Sequence, residues 1–284
     1  MKRVSLLVLG SFINSLGTGL SAFGLAVVML RTHGTASSVS AVQMSAFAPI
    51  VLLAPLAGAL ADRYDRRLMM IIGDAGSVLG LGIILTALSS PRPSLAWVCT
   101  GAILSSCLAA LTEPALRASV TDLVTEEDYV RASGLLQLAS AAKYLLAPAA
   151  AGFLMPLVGV RGLVLLDTST CLVTVVCTMT VRRALAADAR QRAATQSGDD
   201  HGFLAGWRTI AASPGLRTLV TLMTLATLAV GVIQVLIKPI LLPTVSTSEM
   251  GVIETVAATG MLVGAALVTA WKSAQPTTLL AAGL

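Results

Sequence analysis

Ten residues from Gly58 to Arg67, GALADRYDRR, hold five charges in a chain where only 12% of residues are charged. Asp62, Arg63, Asp65, Arg66 and Arg67 form a knot between two strongly apolar runs. Arginines at such a place hold a loop on the cytoplasmic side and meet anionic lipid headgroups. That accounts for Arg63, Arg66 and Arg67. It does not account for the two aspartates, because acids contribute little to topology. Asp62 can accept hydrogen bonds close to the start of the next apolar run, where a helix dipole favours an anion. Gly58 is expected to let two helices approach closely.

Other ionisable residues lie within the apolar runs, where each is a functional candidate because burying it in lipid is expensive. Lys143 is the clearest. It follows Arg131 by twelve residues, about 18 Å along a helix, near the middle of a roughly 30 Å hydrocarbon core. A role in the substrate path and a structural role, paired to an acid or facing a wet cavity, weigh about evenly. Asp74 stands seven residues past Arg67, and pairing with the knot's arginines or snorkelling leads there. Glu113 precedes Pro114, at a boundary or a hinge. Asp167 is expected to cap or pair structurally. Glu254 has two readings: a pair with Lys238, or a reach towards Lys143.

Several chemistries have no residues to perform them. No G-x-x-x-x-G-K-[ST] is present, so ATP drive is not expected. Neither G-x-S-x-G nor HExxH occurs, and an integral membrane enzyme ranks well behind transport. A purely structural membrane protein is the third class, and it predicts no polar cavity around Lys143. No metal cluster and no cofactor are expected.

The elements that must position these residues are membrane spans. Apolar residues make up 56% of the chain and mean hydropathy is +0.86, against about 45–50% apolar in soluble domains. The apolar residues come in long runs, about 4–30, 38–61, 68–88, 95–111, 132–158, 163–181, 219–241 and 250–271, and "TTLLAAGL" begins a ninth. "SSPRPS" closes the third run, "GVRG" turns the chain after the fifth, and "TEPALRASVTDLVTEEDYVR" reads as an amphipathic connection. The run after Lys2 and Arg3 is too long for a signal-peptide core. All four cysteines fall inside runs, which argues against a disulfide framework. With the N-terminus cytoplasmic, inner segments hold 14 of the 19 Lys and Arg residues and outer loops hold 3. The basic balance, pI about 9.3, is then an orientation signal rather than a nucleic-acid patch.

The knot resembles the signature loop of the major facilitator superfamily, G-x-x-x-D-R-x-G-R-R. It departs at Asp65, where glycine is usual. An acid there is familiar in the branch that resembles the enterobactin exporter and the macrolide-efflux proteins. "LLAPAAAGFL" resembles that branch's Pro-x-x-Gly-Gly segment, with Pro148 and Gly152 in place and Ala151 replacing one glycine. "ASPGLR" and "TVAATGMLVGAAL" also fit.

The resemblance implies an all-α membrane protein with a six-helix N-terminal bundle (1–181), a central cytoplasmic loop with an interfacial helix (182–218) and an incomplete second bundle (219–284). The family has twelve spans, so about eight full spans and the start of a ninth are expected here. It implies alternating access about a midplane site, by which a secondary transporter exports a small molecule across the cell membrane, with a proton or another ion as coupling partner. The family's R-x-x-x-G coupling motif in span four is absent, so coupling falls to other groups. The signature Asp usually engages span eleven, a partner Asp62 lacks within these residues. Pro148 and Gly152 are expected at a helix-packing surface. Substrate and oligomeric state are not legible.

Overall fold

The computed structural model describes residues 2–124, 126–191 and 244–271, with isolated positions between 215 and 241. Every described element is a helix: α1 (Lys2–His33), α2 (Ala36–Arg63), α3 (Arg66–Ala87), α4 (Leu95–Ala109), α5 (Thr112–Thr121), α6 (Glu126–Leu145), α7 (Ala147–Gln191) and α8 (Thr247–Trp271). Five described segments are long and apolar enough to cross a membrane: Val4–His33, Ala36–Ala61, Arg66–Ala87, Leu95–Thr121 and Ala147–Leu185. The central loop beyond Gln191, most of the expected seventh span and the start of a ninth lie outside the described residues.

Prolines and one glycine set the breaks. The fourth crossing does not stop at Leu111. Pro114 lacks an N–H and its ring clashes with the carbonyl four residues back, that of Ala110. The helix therefore breaks at Ala110–Leu111 and restarts as α5, with Pro114 in a first turn where no N–H is needed. The stretch expected to be an amphipathic connection is thus, over Thr112–Thr121, a continuation of the span. Similarly, α6 ends at Leu145 and α7 starts at Ala147, just before Pro148. Gly159 has φ 69° and ψ 176°, which splits α7 into two arms. Only glycine takes that conformation without strain. The first arm continues α6, and the second forms the next crossing.

The second arm runs from one end of the bundle to the other. At its start, Arg161 Nε donates to the carbonyl of Leu88, the residue capping α3, at 2.8 Å. At its far end, Arg182 Nε reaches Asp65 at the opposite end of α3, 2.8 Å away. The arm and α3 are therefore antiparallel neighbours.

Lipid tails are as apolar as Leu, so helix association in a membrane depends on close packing more than on apolar burial. One close crossing joins α3 and α4. A Cβ on Gly80 would lie 2.4 Å from the Ser105 nitrogen and 2.5 Å from the Gly101 oxygen, and one on Gly101 would lie 2.7 Å from the Gly80 oxygen. At Gly58 an added Cβ would meet no described atom within 4 Å, so the close approach expected there is not made. One core cluster, including Leu7, Met70, Leu116, Leu136 and Val181, fills the Asp65 end. A second, including Met29, Leu81, Ile84, Val98 and Val164, fills the Arg161 end. A third places Met250 of α8 with Phe23, Ala151 and Leu163.

α8 starts itself. The Ser246 backbone N–H donates to Glu249 Oε2 at 2.7 Å, and the Glu249 N–H donates back to Ser246 Oγ at 3.2 Å. This reciprocal capping box satisfies two of the N–H groups that a helix start leaves unpaired.

Candidate functional site

Lys143 occupies the last turn of α6, just before the break at Leu146. It is half-buried. Its Nζ lies 5.5 Å from the centroid of the Phe47 ring on α2 and 5.7 Å from that of Tyr144. Both are within the roughly 6 Å over which a ring face attracts a cation. α1 crosses directly behind it: a Cβ on Gly19 would lie 2.8 Å from the Lys143 oxygen and 2.4 Å from Ala147 Cβ.

The acids acting on Lys143 are Asp167 and Glu113. Asp167, on the second arm of α7, is 3% exposed. The Ser21 hydroxyl of α1 donates to its Oδ2, and Thr18 Oγ1 donates to its Oδ1 at 3.4 Å. Glu113 is exposed and held within α5, where Arg117 donates to its Oε1 from Nε at 2.9 Å and Nη2 at 2.7 Å. One cation, two rings and two acids thus converge from α2, α5, α6 and α7.

The second constellation is the knot. Asp62 lies in the last turn of α2 and Arg63 ends that helix. Asp65 caps α3, its Oδ1 accepting from the N–H of Arg67 at 3.0 Å and of Leu68 at 3.5 Å, while Oδ2 accepts from Arg182. Partial burial pushes its carboxyl up. The Arg182 hydrogen bond, the Arg67 and Leu68 amides and the Arg182 charge outweigh that and hold it below the ordinary aspartate range. A glycine, usual at this position in the signature, would provide neither the cap nor the ion pair. Arg66 gathers three ends. It donates to the Ala61 carbonyl near the end of α2 at 3.3 Å, to the Ala118 carbonyl near the end of α5 at 3.0 Å, and to Asp122 Oδ1 at 2.5 Å.

Asp65→Ala should lower stability by about 1–2 kcal/mol. About 1 comes from the cap and up to about 1 from a half-exposed ion pair. Because folding holds this carboxyl low, its contribution is present above the ordinary aspartate range and disappears as pH falls through the lowered value. Melting wild type and variant side by side at neutral and strongly acid pH tests this. The gap should shrink in acid, and an unchanged gap contradicts the assignment.

The third constellation closes the opposite end. Arg31 Nη2, near the end of α1, donates to Thr247 Oγ1 at the start of α8, 2.7 Å away. Ser248 Oγ donates to the Gly152 carbonyl at 3.0 Å. A Cβ on Gly251 would lie 2.4 Å from the Pro148 oxygen, and one on Gly152 would lie 2.9 Å from the Thr247 oxygen. Pro148 and Gly152 therefore lie where α8 rests on the first arm of α7.

Asp74 does not reach the knot. It accepts a hydrogen bond from Thr112 Oγ1 of α5 at 3.1 Å. Glu254 is half-buried on α8, one turn past Met250, and Lys238 lies outside the described residues. Asp167, expected to cap or pair structurally, accepts from the hydroxyls of Thr18 and Ser21, three residues apart on α1. Two partners escaped the sequence reading. Asp122 was signalled as an acid at a helix C-terminus, where the dipole demands a cation. Nothing local signalled Arg182, which pairs with Asp65 across 117 residues.

The chain matches the Major Facilitator Superfamily over residues 7–284. It is 26% identical over 156 residues to YfiS, an uncharacterised MFS-type transporter of Bacillus subtilis (strain 168), covering 54% of this chain and 36% of that protein. It is 27% identical over 146 residues to macrolide efflux protein A of Streptococcus pyogenes, covering 50% and 36%. A solved POT family transporter in complex with a thioalcohol-conjugated peptide superposes with TM-score 0.54 at 15% identity, covering 79% of this chain and 47% of that one. An auto-inhibited POT family peptide transporter gives TM-score 0.52 at 15% identity, covering 91% and 51%. The likeness to these structures is one of fold alone. The chain spans about a third of the length of these curated relatives and about half of the solved chains. With the family match running over nearly every residue of an all-helical, multi-pass bundle, the chain belongs to the Major Facilitator Superfamily of membrane transporters.

Proposed function

We propose that this chain acts in secondary active export of a small molecule of drug, macrolide or siderophore-like type, by alternating access. The moving bodies are residues 1–181 and 219–284, joined by the 182–218 segment and rocking about a site at Lys143. The observation that carries this is the Lys143 cluster. A half-buried ammonium between two aromatic faces, with two acids acting on it, costs stability in a bilayer and suits a place where a polar cargo group exchanges with a protein partner. The similarity to macrolide efflux protein A over half the chain supports the cargo class and the direction. The Lys and Arg bias supports a cell-membrane protein with a cytoplasmic N-terminus.

The test is accumulation of a radiolabelled macrolide in cells expressing the chain, against cells carrying the empty vector, with membrane levels verified by immunoblot. Expression should lower accumulation, and an ionophore that collapses the ion gradients should abolish the difference. Equal accumulation with the chain present in the membrane refutes export of this cargo class.

A further inference from the structure

Neither the Lys143 cluster nor the knot uses the single acid of α3. Asp74 is 2% exposed. Its Oδ1 takes the Thr112 hydroxyl, and its Oδ2 is buried with no hydrogen-bond partner among the described residues. The groups facing it are few. α4 has no charged residue, only the thiols of Cys99 and Cys107. α5 offers Thr112, while its Glu113 and Arg117 are exposed and paired with each other. The second arm of α7 offers Cys171, whose thiol donates to Asn14 Oδ1 of α1 at 3.4 Å and lies within the reach of both Asp74 and Asp167. On α3 itself Arg66 is engaged at the knot. Arg67, two turns towards the helix start with its Nε buried and unpartnered among the described residues, exerts no charge effect on Asp74. α2 meets α3 chiefly at the knot. Lys143 is acted on by Asp167 and Glu113.

An ionised carboxylate in such a place lacks both a counter-charge and enough hydrogen bonds. Desolving a lone ion costs far more than binding a proton, so the neutral acid is the form that fits this packing. What encloses it is a joint. Gly73, beside Asp74, lies so close to the broken crossing that a Cβ there would be 2.5 Å from Thr112 Oγ1 and 2.9 Å from the Leu108 oxygen. Leu108 and Thr112 flank the Ala110–Leu111 break on its two sides.

We propose that Asp74 is a proton-binding site. It holds a hydrogen ion on its carboxyl while α3 is closed on the Ala110–Leu111 joint. When the joint opens to water, the Oδ2–H bond ionises, the proton passes to water and the carboxylate is hydrated. No other bond is made or broken. The ligand is the proton itself, so the site couples a solvent proton to the angle between α4 and α5.

Infrared spectroscopy on the full chain in lipid tests this without any transport, so its failure is distinguishable from failure of the export reading. A protonated carboxylic acid has a C=O stretch separate from that of a carboxylate, and the stretch shifts in heavy water. Wild type should show such a band titrating with pH. The band should persist in Asp167→Asn, move in Asp74→Glu and vanish in Asp74→Asn. Asn copies the neutral acid in shape and keeps an acceptor for Thr112, so its melting temperature should match wild type at acid pH and lose most of the pH dependence. A band retained in Asp74→Asn, or one unmoved in Asp74→Glu, overturns the assignment.

Discussion

Lys143→Met should lower the thermal stability of the purified chain, and adding Asp167→Asn should restore most of it. Asp167 is almost fully buried and receives only two hydroxyl hydrogen bonds. Removing the ammonium that acts on it leaves an uncompensated charge between α1 and the second arm of α7. Breaking a contacting buried pair from one side costs about 3–5 kcal/mol. Lys143 is only half-buried and makes no direct ion pair with Asp167 among the described residues, so the loss should fall below that range. Export and stability separate the two roles. A drop in both, rescued by Asp167→Asn, marks structural pairing. Lost export with an unchanged melting temperature marks contact with cargo. A variant unchanged in both respects removes Lys143 from the site.

The second large effect is expected at Gly251. A valine there would place a Cβ against the Pro148 carbonyl oxygen, where the Cβ position lies 2.4 Å away. A carbonyl within a helix cannot rotate aside like a flexible side chain. α8 must lift from the first arm of α7, carrying Thr247 away from Arg31 and Ser248 away from Gly152. Overpacking of this kind costs about 1–3 kcal/mol in cores that can adjust, and backbone on both sides places Gly251→Val at the upper end. In a background without the native cysteines, a short bifunctional thiol reagent that replaces the reach of the Arg31 side chain should cross-link Arg31→Cys to Thr247→Cys, and Gly251→Val should suppress the product. Undiminished cross-linking would mean that α8 tolerates the side chain where it is.

The crossings were legible because each is a long apolar run, and the knot because five charges interrupt two of them. The wiring was not. Asp65 looked like a departure from a motif until its two oxygens met α3's first amides and an arginine at the end of the second α7 arm. That pairing depends on two helices being antiparallel, which no local pattern encodes. The stretch from Thr112 to Thr121 read as a connection because Glu113 and Arg117 are charged. One helical turn apart, however, they neutralise each other, and Pro114 falls in a first turn. Gly58 misled in the opposite direction. Small residues allow close packing but do not compel it, and the crossings that need glycine lie at Gly19, Gly80 and Gly251.

The capping box at Ser246 and Glu249 has a consequence for biosynthesis. It closes with groups three residues apart, so it needs no contact with α1 or α7. The position of the α8 start is therefore marked by local groups and does not wait for α8 to dock on α7. A start fixed locally favours one register of the helix, the one that sets Gly251 opposite Pro148. Were the start decided by docking instead, a slip of one residue would rotate the small-residue face about 100° away from its partner, and the translocon would release a helix that had still to find its place.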